Sequence, residues 1–213
     1  MSGRLAPGGD GRRFPGFDVL TQAARWDPVT AGVVLARVGM PAAVRFLTPA
    51  EHAAAAALCD QLLGQHHDPK VPVVNLIDAR LAEDQTDGWH YQDLPEDGQA
   101  WRDSLAALDA DAAARFGRGF AACPAERQAA LIQAVQDLGP GTWHGLGAAH
   151  VWSLWTRYAC TAFYAHPWAW NEIGFPGPAY PRGYKNPGID ALEPFEVRDA
   201  RSSDDPARTD GAR

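Results

Sequence analysis

Cysteine is scarce in this chain: three residues in 213, Cys59, Cys123 and Cys160, far apart and odd in number. They make neither a disulfide framework nor a zinc-ligand spacing. They read as small buried hydrophobes, with Cys59 and Cys160 among apolar helical residues. No run of Lys or Arg occurs and the formal charge is -7, which excludes the basic stripe of a nucleic-acid binder. No stretch approaches the ~20 apolar residues of a membrane-spanning helix. The longest apolar helical stretch, 151–165, is broken by Ser153, Thr156, Arg157 and Thr161. No glycine-rich phosphate loop follows a strand, no Gly-x-Ser-x-Gly elbow is present, and no Cys-x-x-Cys-His haem site occurs. Arg12-Arg13-Phe14 superficially resembles an export signal, but Pro15, Gly16 and Asp18 follow in place of an apolar segment. The expectation is no signal peptide and a cytoplasmic location, or a periplasmic or membrane-associated one only if a partner carries the chain.

What remains is an ordinary globular composition, 46% hydrophobic and 21% charged, long enough to bury a core. Tryptophan stands out, with eight residues, four of them (Trp152, Trp155, Trp168 and Trp170) close together. Trp and Tyr are frequent at protein interfaces, and they are also ordinary core residues.

The pattern is mainly α: a compact bundle of about five helices. Residues 1–16 read as a disordered arm, 17–188 as one helical domain, and 189–213 as a polar tail. Asp27-Pro28 can open a helix over about 25–38, the preferred reading, although Val33, Val34 and Val38 would also suit a strand. Thr48-Pro49-Ala50-Glu51 is a capping box with proline at the first helical position, and Gly64 ends that helix. A second helix spans about 71–82, with Val74, Ile77 and Leu81 on one face and Asp78 and Arg80 turned elsewhere. Residues 83–98 form a polar loop whose Trp89 and Tyr91 should pack on the core. A third helix runs over about 99–116, and a fourth starts after Cys123 as cap. A fifth, about 146–165, is apolar nearly all round and so should be buried on most sides. Pro167 should end it and begin an irregular strap rich in Pro, Gly and aromatics.

The acidic group Glu83, Asp84 and Asp87 reads as a solvated loop, because paired acid–base catalysis needs two contrasting environments. His66 and His67 are adjacent and point different ways. His144 and His150 suit capping or hydrogen bonding. His166 falls at a helix C-terminus, where the dipole favours an imidazolium. None of these amounts to a catalytic, cofactor or metal site.

The run Ala162-Phe163-Tyr164-Ala165-His166-Pro167-Trp168-Ala169-Trp170-Asn171-Glu172-Ile173-Gly174-Phe175, continuing through Gly177-Pro178-Ala179-Tyr180-Pro181, resembles the C-terminal region of the gluconate 2-dehydrogenase subunit 3 family. The start Phe46-Leu47-Thr48-Pro49-Ala50-Glu51 and the run Leu58-Cys59-Asp60-Gln61-Leu62-Leu63 are similar to the family's early helix. The likeness covers about residues 46–185. Segment 17–46 has no counterpart in the pattern, and the twin-arginine leader common in the family is missing or vestigial.

The resemblance implies a non-catalytic accessory subunit. Its partner would be a large FAD-dependent dehydrogenase of the glucose-methanol-choline type that oxidises a sugar, sugar acid or polyol, often with a cytochrome c subunit carrying haem c. FAD would sit in the partner and this chain would bind no cofactor. The residues that clamp the C-terminal helix or meet the partner would be Tyr164, His166, Trp168, Trp170, Asn171, Phe175, Tyr180 and Tyr184. Two alternatives stay open: a free-standing helical enzyme using His166, Asn171 or Glu172, and a carbohydrate-binding module stacking sugars on Trp168, Trp170 and Tyr180.

Overall fold

The structure is a computed structural model that describes residue 14 and residues 16–39, 43–189 and 191–198. Most of the arm assigned to 1–16 lies outside these residues, as does the tail beyond 198. The described residues are mainly helical. The α-helices are α1 (Pro28–Ala36), α2 (Pro49–Leu63), α3 (Val73–Ala82), α4 (Asp97–Phe116), α5 (Ala125–Asp137), α6 (Ala148–Tyr164) and α7 (Pro167–Ile173). Two 3-10 helices, Val19–Arg25 and Phe120–Ala122, and one antiparallel ribbon of β1 (Thr142–Trp143) and β2 (Leu146–Gly147) complete them.

Two compact units emerge. Unit one takes the described residues of Met1–Met40, Pro69–Val71 and Tyr164–Arg213. Unit two takes those of Pro41–Asp68 and Pro72–Phe163.

In unit two, α2 begins with the expected capping box. The Thr48 side chain accepts from Glu51 N–H, and the Glu51 carboxylate accepts from Thr48 N–H. Gly64, at φ 65°, ends the helix in the left-handed conformation that glycine adopts without strain. Helix α2 packs on α3, α4, α5 and the second 3-10 helix. Leu58, Ile77, Trp101, Leu105, Phe120 and Leu131 are fully buried there. On α6, Leu154, Trp155 and Tyr158 are buried. Burial of this much aliphatic and aromatic surface is the main favourable contribution to folding. The Trp155 indole N–H finds a partner in Ser104 Oγ at 3.0 Å, as a buried polar atom should.

Four expectations are corrected in unit two. Cys123 does not cap α5: Pro124 holds the cap position without a side-chain bond, and Cys123 Sγ instead contacts the Gly119 carbonyl. Cys160 is exposed, because α6 shows one apolar face and leaves that position outside. The helix is therefore not buried on most sides. Trp89 is half exposed and does not pack on the core; its ring meets Tyr91 edge-on at 5.1 Å.

In unit one, Asp27 caps α1 through Val29 and Thr30 N–H, with Pro28 in the first turn. Val19, Trp26, Val34 and Trp170 form its core, with Phe17, Leu20 and Phe175 packed around them. Phe14, assigned to the arm by sequence, is buried against Gly174. In the segment read as polar tail, Glu193 is buried and accepts Asn186 N–H at 2.8 Å and Lys185 N–H.

Candidate interaction surface

The strap does not stay irregular after Pro167. Proline there serves as a helix starter, since the first turn leaves its N–H without an intrahelical partner in any case. His166 is extended at φ -94°, ψ 135°, and its Nδ1 accepts from Trp168 N–H at 3.2 Å. It is thus the N-cap of α7. Gly174 closes that helix at φ 67°. A seven-residue helix inside the strap is the main departure from the expected architecture.

This geometry also reverses the expectation for His166. The ring is 2% exposed. Burial drives its pKa down to about 4, and the nearby Arg37 charge pushes the same way, against a hydrogen bond with the Arg37 backbone. It sits at a helix's positive end, so a neutral imidazole is the favoured form.

The candidate residues divide by the side they face. Trp170 points into the unit-one core, and its indole N–H donates to the Tyr164 carbonyl at 2.6 Å. Arg37 donates to the next carbonyl, Ala165, at 2.8 Å. Carbonyls at the end of α6, which have no partner within the helix, are satisfied in this way. Asn171 is fully buried. Its Oδ1 accepts Val19 N–H at 2.7 Å and its Nδ2 donates to Asp18 Oδ1 at 3.4 Å, so it fixes the start of the first 3-10 helix. Phe175 packs edge-on against Trp170 at 5.2 Å. Trp168 is partly buried and lies 4.9 Å from the His166 ring.

Tyr164, Tyr180 and Tyr184 face outward, Tyr180 at 66% and Tyr184 at 59% exposure. Tyr184 is braced by Phe195, 5.7 Å away, over which the Arg182 guanidinium stacks at 3.9 Å. Ile173 is exposed as well. Among the described residues, exposed large hydrophobics gather in unit one; unit two shows only Val44, Trp89 and Leu138.

Unit two holds a polar network that the sequence reading missed. Asp78 is buried and accepts the backbone N–H groups of Arg45, Phe46 and Leu47 at 2.6, 2.9 and 2.8 Å. Burial raises its pKa, but the three backbone bonds outweigh that and hold it below the usual carboxylate value. Nothing local signals this role, because the partners lie more than thirty residues away. Asp87, expected in a solvated loop, pairs instead with Arg80 and Arg157. Buried Asp97 accepts from the Tyr158 hydroxyl at 2.6 Å, which with burial raises the tyrosine pKa. His144 pairs with Asp111 at 2.8 Å and His150 with Asp93 at 2.6 Å, both near the surface. Among the described residues no three His, Cys, Asp or Glu side chains are grouped to hold a metal.

The described residues define a small, mainly helical protein that ties many of its polar side chains into structure and displays tyrosines outward. The family model for gluconate 2-dehydrogenase subunit 3 matches residues 49–177. The chain belongs to the gluconate 2-dehydrogenase subunit 3 family. No curated protein and no solved structure matches it.

Proposed function

We propose that this chain is a non-catalytic accessory subunit of an FAD-dependent dehydrogenase that oxidises a sugar, sugar acid or polyol. In this reading it docks on the large flavoprotein through the outward aromatics of unit one and supports that partner's assembly, stability or export. FAD belongs to the flavoprotein, and haem c to a cytochrome subunit where one takes part. The compartment of the chain follows that of its partner.

Family membership supplies the class, and the exposed Tyr164, Tyr180 and Tyr184 are the observation that carries the docking role. Tyrosine suits such a role because it buries a large apolar area at little cost in side-chain freedom and keeps a hydroxyl for a polar contact. Burial moves the roles of His166 and Asn171 from partner contact to capping α7 and anchoring the first 3-10 helix.

The test is co-expression with a large flavoprotein of the glucose-methanol-choline type from the same genome. The tagged chain should bring down the flavoprotein, and Tyr180→Ala with Tyr184→Ala should weaken capture at least about tenfold, as expected of interface anchors. Both side chains are solvent-facing, so circular dichroism should not change. A flavoprotein that is soluble and fully active without this chain, or turnover by the chain alone, overturns the reading.

A further inference from the structure

Unit two contains a cleft of about 220 Å³ between the ends of α3 and α4. It is smaller than the clefts that take drug-sized molecules and suits a ligand of about a dozen heavy atoms. Its walls are unusually mixed in charge. Arg80, Arg102, Asp84 and Glu96 line it together with Gln85 and Gln99, whose amides also donate to Glu83 and Asp103. Phe46 and Leu81 supply the apolar part.

The positive groups are held in position before any ligand arrives. The Arg102 guanidinium lies 4.3 Å from the centre of the Phe46 ring and donates to the Phe46 carbonyl at 2.8 Å. Arg80 lies 4.5 Å over the Tyr158 ring and donates to the Gln85 carbonyl at 2.6 Å and to Asp87. Gly98 makes room for the Phe46 ring: a Cβ there would stand 2.9 Å from Phe46 Cζ. Asp84 holds φ 52°, a conformation that a non-glycine residue rarely adopts. Preorganised polar walls reduce the ordering cost of binding.

The lining selects by exclusion. An apolar ligand would strip water from guanidinium, amide and carboxylate groups without replacing their hydrogen bonds, which is costly. A simple cation would meet two arginines, and an anion without hydroxyls would leave two carboxylates without a donor. A molecule with several hydroxyls avoids both problems, because each hydroxyl donates to a carboxylate and accepts from a guanidinium or amide. Its C–H face can lie on Phe46 and Leu81.

We propose that this cleft binds one small polyhydroxylated molecule, a monosaccharide or its open-chain acid. The inference concerns unit two alone and does not rest on the subunit reading. A molecule of this size held by such contacts binds with a Kd on the order of millimolar.

The test is an ¹⁵N-HSQC titration of the full chain with D-glucose, with D-gluconate and with cyclohexanol as an apolar probe of similar size. Glucose, gluconate or both should shift the backbone signals of residues 84–86 and 96–99. Equal affinities place recognition in the hydroxyls, and tighter gluconate binding assigns the natural ligand to the acids. Asp84→Asn keeps a residue that tolerates the φ 52° backbone and should weaken binding about fivefold or more through loss of a charged acceptor. Thr86→Val, which removes a hydroxyl from the cleft wall, should weaken it as well. The proposal is overturned if neither sugar shifts these signals at about a hundred times the expected Kd. Equal binding of cyclohexanol, or unchanged affinity in both variants, overturns it too.

Discussion

Acidification should loosen unit one through His166 in particular. Its imidazole is 2% exposed, and its pKa is driven from 6.5 to about 4 by burial and by Arg37. Nδ1 accepts from Trp168 N–H, so the neutral ring carries its proton on Nε2. A second proton would both charge a buried ring and abolish the cap. The sign follows from linkage. Between about pH 6.5 and 4 the unfolded chain binds a proton that the folded chain refuses, so stability is full above 6.5 and falls as pH drops toward 4. Below that value both states are protonated and the loss levels off. At about 1.4 kcal/mol per pH unit, the interval corresponds to about 3 kcal/mol, most of it lost by pH 4. Asparagine is a good N-cap without a titrating group. Urea unfolding of the wild type and of His166→Asn, each at pH 7 and pH 4, isolates the histidine contribution by difference. The wild type should lose about 3 kcal/mol more than the variant over that interval, whatever the common loss from carboxylates. The His166 ring signal should also stay constant by NMR from pH 7 to 5. A ring that titrates near 6.5, or equal losses in the two proteins, refutes the reasoning.

Two more perturbations test the remaining structure. Asp78→Ala leaves three backbone N–H groups without their carboxylate and should cost about 3 to 5 kcal/mol in urea unfolding. Because the Asp78 pKa is lowered on folding, its stabilisation is present above the unfolded carboxylate value and fades as pH falls through the lowered one; the variant should lack that part of the acid transition. In the strap, Gly177→Ala at φ 80° would set a Cβ 2.4 Å from Trp26 Cζ2, whereas Gly183→Ala at φ 68° would meet nothing. Thermal unfolding should show a loss of about 1 kcal/mol at Gly183, from backbone strain alone. The Gly177 loss should be at least about twice that, since the core must also shift.

Much of the architecture was readable because its causes are local. Asp27-Pro28 and Thr48-Pro49-Ala50-Glu51 carry their helix starts in a few adjacent residues, and both form as expected. The helix over 97–116 follows from the spacing of Trp101, Leu105 and Leu108, all buried. Errors arose where a residue's partner lies far along the chain. Asp78 looks like an outward charge next to an apolar stripe, yet the N–H groups that donate to its carboxylate are at 45–47. Asp87 looks like one of several loop carboxylates, yet Arg157 lies seventy residues on.

The strap shows the same limit at the residues proposed for docking. Composition identified the segment, because clustered aromatics, prolines and glycines are visible without any fold. Composition could not assign a side to each aromatic. His166-Pro167 was read as the end of one helix when it is also the start of the next, and that one turn of α7 decides the orientations. It directs Trp170 and Asn171 inward, where Val19 waits 152 positions earlier in sequence, and leaves Ile173 outside. Tyr180 and Tyr184, past the closing Gly174 and the family match at 177, remain on the surface. Under the docking role proposed above, the outward tyrosines are the positions at which substitution should separate partner binding from folding.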